Sequence, residues 1–99
     1  MIHIIWEFQI DPSQVKAFEE MYGSEGAWAL LFQKSKEYHG TILLKDDISP
    51  GRYFTIDRWD NIDAFESFKA LHINAYLELD HICEKLTLAE RKVGFFEEI

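Results

Sequence analysis

The longest regular pattern in the sequence is a helical stripe in its second half. A side chain suited to a protein interior recurs there every three or four positions, close to the 3.6 residues of a helical turn. The stripe consists of Phe65, Phe68, His72, Tyr76, Leu79, Cys83 and Leu86. It predicts a helix of about six turns that begins after the capping pair Asp60-Asn61 and lays one face on another layer of structure.

Four segments rich in β-branched and aromatic residues predict strands around this helix. They cover residues 2–10, 39–46, 52–59 and 91–98. A first helix is expected to begin at Asp11-Pro12, to break at the glycines of residues 23–26 and to resume around Trp28. The turn formers of residues 46–51 predict a hairpin between the second and third strands. This order is typical of an α+β, ferredoxin-like fold (βαββαβ, a split β-α-β), in which two helices cover one face of a four-stranded antiparallel sheet.

Length and charge exclude several classes of function. The 99 residues predict one small domain, residues 1–99. A net charge of −8 makes the chain a poor partner for nucleic acid or for an anionic membrane surface. The single cysteine, Cys83, lies on the helical stripe and is expected to be a buried, inert thiol. Because no apolar run is long enough for a membrane span and the first residues lack signal-peptide features, we expect a cytoplasmic protein with no membrane partner.

The predicted sheet carries apolar side chains on both faces. On the first strand, Ile5 points away from the face that carries Ile4. On the third strand, Phe54 and Ile56 point away from the face that carries Trp59. The helices can cover only one of the two faces, and a large bare apolar surface is unusual for a monomer. We therefore expect a homodimer in which the two sheets pack face to face.

The stretch GTILLKD, followed after a turn by SPGRYFTIDRWDNIDAFESF, resembles the antibiotic-biosynthesis-monooxygenase-like (ABM) family of dimeric α+β barrels. The block YGSEGAWALLF before it and the block YLELDHICEKLT after it are similar to one bacterial branch of that family. The similarity covers residues 2–96, and its most recognisable short motif runs from Trp59 to Phe65. The resemblance implies the same fold, a homodimer, and an oxygenase without a bound metal or other cofactor.

Two groups of family members have known functions. Cofactor-independent oxygenases act on aromatic polyketide quinols, and a second group degrades haem. Of the positions that the first group uses, this sequence keeps Trp59 alone. The other positions hold Thr55, Phe65 and Leu79 for the first group, and Glu7, Phe68 and Glu78 for the second. The sequence therefore matches one of the four positions of the first mechanism and none of the three positions of the second.

His72 and Tyr76 are the candidate catalytic residues, because they lie one helical turn apart and are expected to face the sheet. A histidine titrates near neutrality, and the pair could accept and relay a phenolic proton. The candidate substrate-binding residues are Trp59, Thr55, Phe65, Phe68 and Trp28. Packing is the alternative role for all of them, since aromatic rings and partly buried histidines are ordinary parts of a core.

No metal site is expected, since Glu78 and His81 form an E-x-x-H step of which the chain has no second copy. We expect a cofactor-independent monooxygenase-like enzyme that acts on a small aromatic or phenolic substrate in a pocket between sheet and helices. The alternative is a non-catalytic dimer, an accessory protein that binds a small ligand or fills its pocket with its own side chains. A cavity well under about 300 Å³ favours the alternative, and an open one with convergent His and Tyr side chains favours the enzyme.

Overall fold

The computed structural model describes all residues, Met1–Ile99. Its strands are β1 (Ile2–Ile10), β2 (Tyr38–Lys45), β3 (Arg52–Trp59) and β4 (Thr87–Glu97). Its helices are α1 (Val15–Tyr22), α2 (Ala27–Phe32), α3 (Ile62–Leu71) and α4 (Ile73–Cys83), with short 3₁₀ turns at Pro12–Gln14 and Glu84–Leu86. The strands form one antiparallel sheet in the order β2-β3-β1-β4, with the helices on one face. The predicted α+β ferredoxin-like fold is confirmed.

Three of the four strands lie close to their predicted positions, and β2 and β3 form the predicted hairpin. The fourth strand is longer than expected, because β4 begins at Thr87 rather than at residue 91. The reason is the length of its partner: β1 pairs with β4 along its whole course, from Ile2 opposite Glu97 to Ile10 opposite Thr87. Pairing with a long central strand thus extends an edge strand beyond its own sequence signal.

The predicted six-turn helix is interrupted at His72, where the backbone leaves helical geometry (φ −111°, ψ 31°). The hydrogen bonding continues across the break: the His72 N–H donates to the Phe68 carbonyl, and the His72 carbonyl accepts from the Tyr76 N–H. The two ends of the stripe, Phe65 and Leu86, are buried as predicted, whereas Tyr76 is only half-buried. Tyr76 lines a cavity between the helices and the sheet, so its side chain is not packed on every side.

The first helix breaks where the glycines predicted. Gly26 separates α1 from α2 and lies against the end of α1. A Cβ atom at this position would lie 2.5 Å from the carbonyl oxygen of Met21, so any larger residue would force the two helices apart. The break lets α2 bury Trp28 and Phe32, and the Phe32 ring packs on that of Trp59 in β3.

An aromatic cluster forms the core beside the end of β3. Trp59 has no exposed surface. Its ring centroid lies 5.3–5.5 Å from those of four neighbours, Phe32, Tyr38, Phe65 and Phe68. Edge-to-face and tilted pairs of this kind stabilise a core beyond the burial of their area. No helix of the chain has both the length and the apolar character needed to cross a membrane.

Candidate functional site

A cavity of about 190 Å³ lies between the inner face of the sheet and the helices. Its walls carry six aromatic rings, those of Trp6, Phe8, Tyr22, Trp28, Phe32 and Tyr76. Its other lining residues are Leu77 and six polar ones, Thr41, Thr55, Asp57, Lys69, Asp80 and Glu90. Apolar walls with a few polar groups are typical of a site for a small molecule.

Asp57 is the only charged residue of the chain that is buried, with 8% of its surface exposed. Strand alternation places it on the inner face of β3, between Thr55 and Trp59. The Thr41 hydroxyl on the neighbouring strand donates to its Oδ1 at 2.7 Å. That hydroxyl in turn accepts from the Tyr38 hydroxyl, because its own proton is already donated. Asp57 has no other hydrogen-bond partner in the chain, so its second oxygen is free toward the cavity.

Burial raises the pKa of Asp57 to about 6, although the hydrogen bond from Thr41 acts in the opposite direction. The carboxyl group is therefore ionised at neutral pH, yet it is a stronger base than an ordinary aspartate. A pKa close to the working pH suits a group that must take up a proton and release it again in each cycle. Asp57 can act as a general base at the floor of the cavity.

Tyr76 forms part of the wall opposite the sheet. Its ring lies edge-on to that of Trp28, with 5.0 Å between the centroids. The Lys69 Nζ lies 4.7 Å from the centroid of the same ring. Burial, followed by the negative charges of Asp80 and Asp57, raises the pKa of Tyr76. The phenol therefore stays protonated, and it can serve as a hydrogen-bond donor but not as a base.

Two acidic side chains lie on the more exposed part of the cavity, which we call the mouth. Asp80 comes from α4 and Glu90 from β4. Neither makes a salt bridge or a side-chain hydrogen bond, and Lys69, the one cation lining the cavity, makes no salt bridge. Burial, followed by the charge of Asp80, raises the pKa of Glu90. The mouth therefore carries negative charge without a protein partner.

The structure brings some of the predicted site residues together and separates others. Tyr76, Thr55 and Trp28 line the cavity. The other four, His72, Trp59, Phe65 and Phe68, lie outside its lining. The His72 ring packs on Phe68, with 4.6 Å between the centroids, and so the expected convergence of His72 and Tyr76 on one cleft is wrong. The helix break at His72 is the physical reason, because it interrupts the shared face on which that expectation depended.

Trp59 packs in the aromatic core and does not line the cavity. Its Nε1 is buried without a hydrogen-bond partner, so it neither bonds to a backbone carbonyl nor faces the cavity. Asp57 and Thr41 were missed as site residues. The signal for Asp57 was its position, because a carboxyl group on the inner face of a strand between Thr55 and Trp59 needs an explanation that packing does not give.

The acidic and cysteine residues elsewhere do not form a metal centre. No group of three or more His, Cys, Asp or Glu side chains is arranged to hold a metal ion. His81 lies on the surface, with its Nδ1 3.5 Å from a carboxylate oxygen of Glu84. Cys83 is buried, and burial raises the pKa of its thiol. A raised thiol pKa reduces the thiolate fraction, as expected for a structural cysteine.

Comparison with solved structures shows which proteins share this fold. A point mutant of SnoaB, a cofactor-independent oxygenase from Streptomyces nogalater, superposes with a TM-score of 0.78 at 18% identity, covering 98% of this chain and 91% of that one. An inferred antibiotic biosynthesis monooxygenase from Bordetella bronchiseptica gives 0.79 at 19% identity, covering 99% and 96%. The chain has the fold of the antibiotic biosynthesis monooxygenases. The resemblance seen in the sequence is therefore confirmed at the level of the fold. No family model matches the sequence, and no curated protein matches it.

Proposed function

We propose that the protein is a cofactor-independent, monooxygenase-like enzyme that acts on a small phenol in the cavity above Asp57. The observation that carries this proposal is the buried carboxyl group of Asp57, which has one free oxygen and a raised pKa inside an aromatic cavity. Perturbed pKa values cluster at functional sites, so a buried ionisable group of this kind in a cleft is a candidate for function. The shared fold with a named cofactor-independent oxygenase supports the same reaction class.

The volume of the cavity limits the substrate to one ring. Drug-sized ligands fill pockets of about 300–1,000 Å³, whereas a cavity of about 150 Å³ holds a benzene molecule. The space of about 190 Å³ therefore suits a single ring with a short substituent, and it excludes the multi-ring polyketides on which some family members act. Bulky side chains such as Trp28 and Phe32 occupy the remaining volume between sheet and helices.

In the proposed reaction, Asp57 accepts the proton of the phenolic hydroxyl. The phenolate transfers one electron to dioxygen, and the resulting superoxide and phenoxyl radical combine at a ring carbon to give a peroxide anion. Asp57 first gives its proton to the peroxide anion. The Asp57 carboxylate then removes the hydrogen on that carbon as a proton while the O–O bond breaks, which forms a quinone carbonyl and releases hydroxide. Asp57 returns its proton to the hydroxide, so a phenol and dioxygen give a quinone and water.

The residues around Asp57 support these reaction steps without taking part in proton or electron transfer. Thr41 fixes the Asp57 carboxylate and is itself held by Tyr38. The protonated Tyr76 hydroxyl is available to donate to an anion formed in the cavity. The aromatic walls exclude bulk water, which strengthens each of these electrostatic interactions.

The test is dioxygen uptake with a series of one-ring and multi-ring phenols, with quinone formation followed by absorbance. We expect dioxygen uptake with one-ring phenols. The rate in Asp57→Asn should fall by at least about 100-fold, because positioned general bases contribute about 10²–10⁴-fold. Glu20→Gln removes an exposed carboxylate outside the cavity and is the matched control. Unchanged turnover in Asp57→Asn, in a variant that is fully folded, would contradict the proposed role.

A second candidate is a non-catalytic protein that binds a small ligand. The size of the cavity favours it, because 190 Å³ lies below the range of most ligand sites of about 300 Å³ and more. The absence of a histidine from the cavity lining favours it as well. Binding of one-ring phenols without any dioxygen uptake would identify this function instead of the enzyme.

We further propose that the protein is a homodimer whose two sheets meet through their outer faces. That face carries a band of apolar side chains, Ile5, Ile42, Leu44, Phe54, Ile56 and Phe96. Light scattering at micromolar concentration should give the mass of two chains, and the double variant I42E/L44E should give one. Leu71→Glu changes a more exposed leucine on α3, away from the outer face of the sheet, and should stay dimeric. A monomeric wild-type protein would refute the dimer.

A further inference from the structure

Building on the proposed function, we propose that the phenol which this cavity takes carries a protonated amine, so that its substrate class is the hydroxyaryl-alkylamines. The hydroxyl group is held by Asp57 at the floor, and the ammonium group is held at the mouth by Asp80 and Glu90. Three features of the cavity lead to this class: its rings, its unpaired acidic groups and the single buried carboxylate.

The aromatic walls are surfaces on which ammonium groups already rest. The Lys69 Nζ lies 4.7 Å from the centroid of Tyr76, and the Lys92 Nζ lies 5.5 Å from that of Trp6. Both rings line the cavity. Because the face of an aromatic ring is negative, several rings around one space are a recurrent way to bind an organic ammonium ion.

The charge at the mouth also favours a cation. Asp80 and Glu90 both line the cavity without salt bridges, and Asp57 adds a third carboxylate. The two nearby ammonium groups, those of Lys69 and Lys92, lie on aromatic rings and form no salt bridge. A cationic ligand would relieve the repulsion between these carboxylates, whereas an anionic ligand would add to it. The net charge of −8 on the whole chain acts in the same direction over longer distances.

Asp57 supplies the second anchor, and it determines which end of the ligand enters first. It is more than nine-tenths buried, and only one of its oxygens has a partner in the chain. A hydroxyl group can donate to the free oxygen and then pass its proton to it. The ammonium group can keep part of its hydration only at the mouth, where Glu90 is exposed, so it is expected to stay there.

Three probes that share a phenol ring test the preference by titration calorimetry: tyramine, its uncharged isostere 4-propylphenol, and the anion 4-hydroxyphenylacetate. We expect tyramine to bind about tenfold more tightly than 4-propylphenol, and the anion to bind most weakly. Asp80→Asn and Glu90→Gln should each weaken tyramine binding by about threefold, since partly exposed ion pairs contribute modestly. Neither substitution should change the affinity for 4-propylphenol, and Glu20→Gln should change neither affinity.

Lys69→Met gives a test of opposite sign. Removal of its ammonium group frees the Tyr76 ring and the mouth carboxylates, so tyramine should bind about threefold more tightly. If Lys69 anchors an anion instead, 4-hydroxyphenylacetate binds best to the wild type and loses affinity in this variant, which would overturn the inference. Equal or tighter binding of 4-propylphenol than of tyramine would overturn it too while leaving the proposed function intact. Failure of all three phenols to bind would reject both the inference and the proposed function.

Discussion

Two carboxylates on opposite faces of the same sheet show how this chain divides structure from function. Glu7 lies on the outer face of β1, where its two oxygens accept hydrogen bonds from Arg52 and Arg91, each at 2.7 Å. These arginines lower the pKa of Glu7. Asp57 lies on the inner face of β3 with a single hydrogen bond from Thr41, and burial raises its pKa to about 6.

The difference shows which of the two groups the fold has stabilised as an ion. Both carboxylate oxygens of Glu7 accept hydrogen bonds from arginines, so its negative charge is neutralised within the chain. These bonds link β1 to β3 and to β4. Asp57 is buried without a cation, an arrangement that costs folding free energy unless the group serves another purpose. A protein that tolerates such a cost at a cavity has the features expected of an active site.

The largest effect that sharpens this comparison is a gain of stability in Asp57→Asn. The folded-state pKa of Asp57 is raised from 3.8 to about 6, so the folded chain holds this proton more tightly than the unfolded chain does. The ionised carboxylate therefore costs stability above about pH 6, and the cost disappears as the pH falls below about 4. Chemical denaturation should show Asp57→Asn to be more stable by about 3 kcal/mol at pH 8 and equal to the wild type at about pH 3, below both pKa values. A variant less stable than the wild type at pH 8 would show that the carboxylate is satisfied after all.

The next effect concerns the hydrogen bond that orients Asp57. Thr41→Val keeps the shape of the side chain but removes the donor, so the pKa of Asp57 should rise further. Activity should then need a higher pH. The rise in the pH–rate profile should shift to higher pH, and the rates of variant and wild type should approach each other in alkaline buffer. A purely structural defect would lower the rate equally at every pH and leave the profile where it is.

The smallest effect is on Glu7, and it has the opposite dependence on pH. Because the pKa of Glu7 is lowered in the folded chain, its contribution to stability is present above its ordinary value of 4.5 and is lost as the pH falls through the folded-state pKa. Glu7→Gln should lower the melting temperature at neutral pH and make no difference in acid. Its dioxygen uptake should equal that of the wild type, since Glu7 does not line the cavity. A loss of turnover in Glu7→Gln would break the division between the two faces.

The sequence predicted the fold well because local periodicity specifies it. The alternation in β1 and β3, the turn formers before Arg52 and the glycines before Trp28 each correspond to the structure. The helix break at His72 had no such signal, since no glycine or proline marks it and the hydrophobic spacing runs through it unchanged.

The site was predicted less well because a cavity depends on the space that packing leaves open. Trp59 and Phe65 have the composition of a binding pocket, yet they interlock into the core instead. Asp57 and Thr41 are far apart in the chain and meet only through the register of β2 on β3, where they are directly paired. The alternation of β3 did place Asp57 on the inner face, and a search for polar residues at interior positions would have found it.

The most direct test of the central claim is a carbon-13 NMR titration of the aspartate and glutamate carboxyl groups. Asp57 should titrate with a midpoint near about pH 6, while Glu7 should titrate below its ordinary value of 4.5. Addition of a one-ring phenol should perturb the Asp57 signal and leave that of Glu7 in place. An Asp57 midpoint near its ordinary 3.8 would contradict the proposed base and, with it, the division of the sheet into a structural and a functional face.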